Sequence, residues 1–142
     1  MLFRSIRGRR QEAVQEFREA IRIMPDDAVT WNNLGVMLLE QGNWDGAEQA
    51  LTTALRLKTL PLDVRINLGV VSLRRGQVKQ AEVHLLAALA SLQLAPSQRA
   101  RALNNLGMVR ATQERPAEAE QAFKEAVALD PQIGRASCRE RV

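Results

Sequence analysis

The stretch Trp31-Asn32-Asn33-Leu34-Gly35 contains a triplet, Asn-Leu-Gly, that returns at Asn67-Leu68-Gly69 and again at Asn105-Leu106-Gly107. Each copy is followed, twelve residues after its glycine, by an alanine: Ala47, Ala81 and Ala119. The glycines stand 34 and then 38 residues apart. Self-similarity at such a period marks a stack of short units that share one continuous core. The three glycines lie inside apolar helical patterns, where glycine costs roughly 1 kcal/mol relative to alanine, so their common register needs a packing reason. Alanines 47 and 54, 81 and 88, and 119 and 126 supply it. Seven residues is two helical turns, so each pair forms a narrow stripe on a second helix that the glycine-bearing helix can approach closely.

Aligned on the glycine, the first complete unit carries Trp31, Leu34, Gly35, Gly42, Ala47 and Ala54, with Leu51 replacing a phenylalanine. The second keeps Leu68, Gly69, Gly76, Ala81, Leu85 and Ala88. The third keeps Leu106, Gly107, Ala119, Phe123, Ala126 and Pro131, with Leu103 at the tryptophan position and Glu114 where a turn glycine is usual. Ahead of them Gly8, Ala13, Phe17, Ala20 and Pro25 match a second helix alone. This pattern resembles the tetratricopeptide repeat over nearly the whole chain. The resemblance implies an all-α fold, a right-handed α-solenoid of antiparallel helix pairs with about three full repeats plus one preceding half repeat. The repeats would occupy 1–25 (second helix only), 28–61, 62–99 and 100–132.

Punctuation places seven helices near 10–24, 27–41, 44–57, 62–75, 78–95, 97–113 and 116–129. Pro25-Asp26-Asp27 stops one helix and offers a carboxylate cap to the next, Gly42 and Gly76 suit tight turns, and Pro116 suits a first helical turn. The four extra residues of the second repeat fall in Val83–Ala95, which has no charged side chain. Four residues are about one turn, so a longer second helix is expected there, buried between repeats. The stretch is too short to cross a bilayer, which takes about 20 apolar residues.

The segment Ile133-Gly134-Arg135-Ala136-Ser137-Cys138-Arg139-Glu140-Arg141-Val142 does not continue the helical pattern. It is what ATC GGA AGA GCG TCG TGT AGG GAA AGA GTG encodes, and that string resembles a short-read sequencing adapter. Authentic sequence is therefore expected to end at or just before Gln132, in a chain that is a fragment. The segment holds three of the chain's arginines and one glutamate, so the formal charge of +4 becomes +2 without it. It also holds Cys138, the single cysteine, which removes disulfide and thiolate chemistry from the remainder. No apolar run follows the basic Met1–Arg10 stretch, so no signal peptide is read, and a cytoplasmic location is expected. Arg4, Arg7, Arg9 and Arg10 read as a solvated flank. No aromatic residue interleaves with them, so nucleic acid is not an expected partner.

Catalytic chemistry has little to build on. His84 is the only histidine and lies in an apolar helical pattern, where a packed or edge role is expected. One histidine cannot assemble a usual zinc site. No dinucleotide fingerprint or phosphate loop occurs, and Glu118, Glu120 and Glu125 mark a solvated helix face rather than an acid and base pair. No enzyme activity, cofactor or metal is expected.

Function then rests on the surface of the stack. With the leucine before each glycine numbered position 7, positions 4, 7, 8 and 11 share the core side of the first helix, and positions 2, 6, 9 and 13 lie opposite. The open set reads Val29, Asn33, Val36, Glu40, then Asp63, Asn67, Val70, Arg74, then Arg101, Asn105, Met108, Thr112. Asn32, Ile66, Asn104, Leu39 and Leu73 flank it. An asparagine amide both donates and accepts, so a row of them can grip a peptide backbone whatever its side chains. Asn33, Asn67 and Asn105 resemble the asparagine ladder in the tetratricopeptide half of O-linked N-acetylglucosamine transferase, and Leu103-Asn104-Asn105-Leu106 is similar to kinesin light chain repeats. The likeness to carboxylate-clamp adaptors is poorer, since Val36 and Asn105 stand where the clamp uses asparagine and a basic residue. The peptide-binding set is expected to be Asn33, Val36, Glu40, Asn67, Val70, Arg74, Arg101, Asn105 and Met108, in a concave groove of a protein-protein interaction scaffold. Two other readings stand beside it. The repeats could be the regulatory or substrate-presenting part of a larger enzyme, a glycosyltransferase or signalling protein, cut off after residue 132. They could also self-associate through uncapped terminal helices, with Phe123 or Val127 exposed on helix 116–129.

Overall fold

Helix ends follow from local chemistry. The structure, a computed structural model, describes residues 2–57 and 61–133, with side chains described over 6–57 and 62–133. The adapter-like residues 134–142 and the Arg4 side chain lie outside the described residues. Among those described, seven helices and no strand occur: α1 (Leu2–Ile23), α2 (Ala28–Glu40), α3 (Trp44–Arg56), α4 (Pro61–Arg74), α5 (Val78–Leu89), α6 (Pro96–Thr112) and α7 (Pro116–Leu129). The fold is an all-α helical repeat.

Asp27 caps α2 by accepting from the Val29 N–H at 3.2 Å, and Asn43 caps α3 by accepting from the Gly46 N–H at 3.0 Å. Three turns close alike. The N–H groups of Asn43, Gln77 and Arg115 reach back to the carbonyls of Leu38, Ser72 and Arg110, with Gly42, Gly76 and Glu114 as the preceding residues at φ +79°, +78° and +59°. This closure requires a left-handed residue, cheap for glycine and strained for Glu114.

The chain divides into two compact units, Met1–Asn67 and Leu68–Val142, and the division falls inside α4. In the first unit α1 packs on α2 and α2 on α3. Leu34, Leu38, Ala47, Leu51 and Ala54 form its core, joined by Val14, Val64 and Ile66. A Cβ on Gly35 would stand 2.6 Å from Leu51 Cγ, so the helices are as close as the sequence requires only because that position is bare. Trp31 Nε1 donates to the Pro25 carbonyl at 2.8 Å and ties the α1–α2 turn to α2.

In the second unit α5 packs on α6 and α6 on α7. Gly69 faces Leu85 Cγ at 2.7 Å and Gly107 faces Phe123 Cε1 at 2.6 Å, measured from an added Cβ. Leu85, Leu106, Val71 and Val109 are fully buried there; each buried aliphatic side chain contributes about 1.5–3 kcal/mol.

Two expectations about helix lengths are corrected. α1 begins at Leu2 rather than near 10, because arginine is a good helix former and Gly8 interrupts the pattern without breaking it. The extra turn expected at the end of α5 stands instead at the start of α6. α5 ends at Leu89 after 12 residues, whereas α6 runs 17 residues from Pro96, ahead of the expected repeat boundary at 100. Proline explains the transfer. Pro96 suits a first helical position, and it forces Ala95 into extended backbone, ψ 152°, where a helix arriving from α5 cannot continue. Gln98 accepts from the Ala95 N–H at 2.9 Å. Arg99 donates to the carbonyls of Leu89 and Ser91 at 3.3 and 2.7 Å, satisfying the end of α5. Burial of Val83–Ala95 is likewise partial: Leu85, Ala88 and Leu94 are buried, but Val83, Leu86 and Leu92 are exposed, Leu92 by 97%.

Candidate functional site

The face opposite the core on each first helix carries the expected binding residues. In the first unit α2 presents Val29 and Asn33 exposed and Val36 half-buried. Glu40 is exposed and lies 3.7 Å from Arg10 Nε of α1. On α4, Asp63 is half-buried. Asn67 departs from the expectation of an open position: only 6% of it is exposed, and its Nδ2 donates to Asn32 Oδ1 at 2.9 Å. That bond joins two first helices of neighbouring repeats within the unit. Ile66, expected to flank the face, is fully buried, because at its helical angle it turns toward the core.

In the second unit Val70 and Met108 are half-buried and Arg74, Arg101 and Thr112 exposed. Asn105 is half-buried and spends one N–H on the Arg101 carbonyl at 3.0 Å, within α6. An amide has a second N–H and a carbonyl oxygen, so Asn105 keeps both kinds of hydrogen-bonding capacity beside Met108. Asn33 and Asn105 therefore present amides to solvent, whereas Asn67 holds helices together.

Sequence reasoning missed a polar cluster in the second unit. Glu82 of α5 accepts from Gln113 Nε2 at 3.0 Å and from Arg115 Nη1 at 2.9 Å, and Arg115 also binds Glu118. These contacts hold the Glu82 carboxyl below the usual glutamate range, first through the Gln113 hydrogen bond, against an opposing push from burial. The residues lie 31 and 33 positions apart, beyond any local pattern. His84 is half-buried on α5. Among the described residues no group of three His, Cys, Asp or Glu could hold a metal ion, and no helix is long and apolar enough to cross a membrane. α6 and α7 enclose an open apolar cleft that includes Phe123 and Val127.

Comparison with known proteins adds to this geometry. Two sequence models of the tetratricopeptide repeat match the chain, one over residues 62–132 and one over 6–60. Among curated proteins, the peroxisomal targeting signal receptor of Candida albicans is 40% identical over 78 residues, which cover 55% of this chain and 13% of the receptor. Its Saccharomyces cerevisiae counterpart is 38% identical over 73 residues, 51% of this chain and 12% of that protein. The match thus spans only about an eighth of these relatives' length. Among solved structures, the pilF product of Pseudomonas aeruginosa superposes with a TM-score of 0.79 at 26% identity, covering 92% of this chain and 58% of that one. MamA from Desulfovibrio magneticus RS-1 gives 0.74 at 28% identity, covering 92% and 75%.

Proposed function

The chain belongs to the tetratricopeptide repeat family, and from that premise we propose a non-catalytic interaction scaffold that binds a peptide segment of a partner protein through its first-helix faces. The observation that carries this reading is the solvent-facing amide of Asn33 beside half-buried Val36, repeated in Asn105 beside Met108. An amide next to an apolar surface suits an extended backbone with an apolar side chain every second residue. Glu40 and Arg74, Arg101 add opposite charges that select among such segments. The likeness to receptors named for a targeting signal supports capture of a short protein segment.

Within the site the asparagines divide by role. Asn33 in the first unit and Asn105 in the second each contact a ligand backbone, and Asn67 ties α4 to α2, the helix that carries Asn33. Selection of random peptides against the intact chain, followed by backbone amide shift mapping with a selected peptide, tests the site. Shifts centred on Asn33, Val36, Asn105 and Met108 are expected. Shifts confined to α3, α5 and α7 would overturn the proposal.

A further inference from the structure

The second helices of the repeats present the same outward positions to solvent, and on one helix those positions are apolar. α1, α3, α5 and α7 align on Ala13, Ala47, Ala81 and Ala119. In that register Val83 and Leu86 of α5 match Gln15 and Arg18 of α1, Gln49 and Thr52 of α3, and Gln121 and Lys124 of α7. All eight are exposed, so the openness belongs to the position and does not depend on where the chain begins or ends. Among these four helices α5 alone is apolar there. Val83 is 65% and Leu86 44% exposed, Ala90 is exposed one turn on, and Leu92 just beyond is 97% exposed. Exposed apolar residues gathered on one face mark an interaction site.

This seam fits a second copy of itself in charge, spacing and direction. From Val83 to Gln98 there is no Asp, Glu, Lys or Arg, and Glu82, just ahead, is held by Gln113 and Arg115 of its own unit. A copy of the seam therefore brings no like charge against it. The other second helices could not meet their own copies so, because α1 carries Arg18 and Arg22 on that face, α3 Arg56 and α7 Lys124. Val83, Leu86 and Ala90 stand three and then four residues apart, the spacing with which two helices pack side by side. Lys79, exposed one turn before Val83, sets the direction, since parallel helices would place it against its own copy. We propose that two copies of this chain dimerise through α5, antiparallel about a two-fold axis near Leu86, with Val83 of each against Ala90 of the other. The two surfaces are identical, so the contact is isologous and stops at two. Two helical turns bury less than the roughly 800 Å² per partner of a standard interface, so the dimer is reversible. It uses no first-helix residue, so it stands or falls separately from peptide binding.

Sedimentation of the intact chain over a concentration series tests this. The mass should rise from the 15.8 kDa of one copy and level at twice that value, alike at low and high salt because no charge pair holds the seam. Val83→Gln with Leu86→Lys gives α5 the pair that α7 carries at these positions, so folding tolerates it. It should weaken association by more than about tenfold, since it places a charge in the apolar seam. Leu86→Lys and Leu86→Glu should each do so alone, and mixing those two chains should restore the dimer, because opposite charges then meet across the axis. Circular dichroism confirms that each variant is folded. A monomer at every concentration overturns the proposal and leaves the seam to a different partner. So does a mass that climbs past two copies, association that Leu86→Lys does not move, or a mixture that fails to recover.

Discussion

Asn67 Nδ2 lies 2.9 Å from Asn32 Oδ1, and through that bond an expected ligand contact becomes a tie between α2 and α4. Asn67 is 6% exposed and Asn32 half-buried, so truncating Asn67 empties a buried position and strands the part-buried carbonyl oxygen of Asn32. Asn67→Ala is expected to lower stability by ~1–3 kcal/mol, read from urea unfolding. A loss under a few tenths would mean that the bond is incidental.

Close helix approach at the repeated glycines predicts opposite outcomes for one chemical change. At Gly69 an added methyl meets Leu85 Cγ at 2.7 Å and Cδ2 at 2.8 Å, branch atoms of a fully buried side chain. Overpacking of about 1–3 kcal/mol should outweigh the helix-propensity gain of roughly 1 kcal/mol, so Gly69→Ala destabilises. At Gly8 nothing lies within 4 Å, and Gly8→Ala should stabilise by ~0.5–1 kcal/mol. Thermal melts of the two variants that moved in the same direction would contradict the packing argument.

Glu114 occupies the turn position that Gly42 and Gly76 fill elsewhere, at φ +59°. Its left-handed backbone costs about 1–2 kcal/mol, of which glycine's greater freedom in the unfolded chain returns part. Glu114→Gly should therefore raise stability by roughly 0.5–1 kcal/mol, measured as a shift in the urea midpoint at constant slope.

Glu82 gives the second unit an acid dependence. Its carboxyl is held below the ordinary glutamate range by Gln113 and then Arg115. The stabilisation is complete above the unfolded glutamate value and disappears as pH falls through the lowered native value. In Glu82→Gln the acid limb of the stability curve should be flatter. Superimposable curves for the two proteins would exclude the linkage.

The repeat architecture was legible because its signals are local and periodic: Gly35, Gly69 and Gly107 in register, alanines at two-turn spacing, and turn residues between helices. The exit of α5 was misread because composition alone weighed there, whereas Pro96 and the Ala95 backbone that it dictates decide the outcome. Helical angles put Asn33 and Asn105 on the side away from the core, where the first is exposed and the second half-buried. They failed at Asn67 and Ile66, because burial there depends on neighbouring helices that one helix's periodicity does not describe. The Glu82–Gln113–Arg115 cluster had no local signature.

The central claim is that solvent-facing amides on the first helices hold a peptide backbone, and titration calorimetry of a selected peptide against Asn33→Ala and Asn105→Ala tests it most directly. Each substitution should weaken binding by about 0.5–1.5 kcal/mol, a hydrogen bond's net contribution, with unfolding of the chain unchanged. Undiminished affinity in both variants would contradict the account.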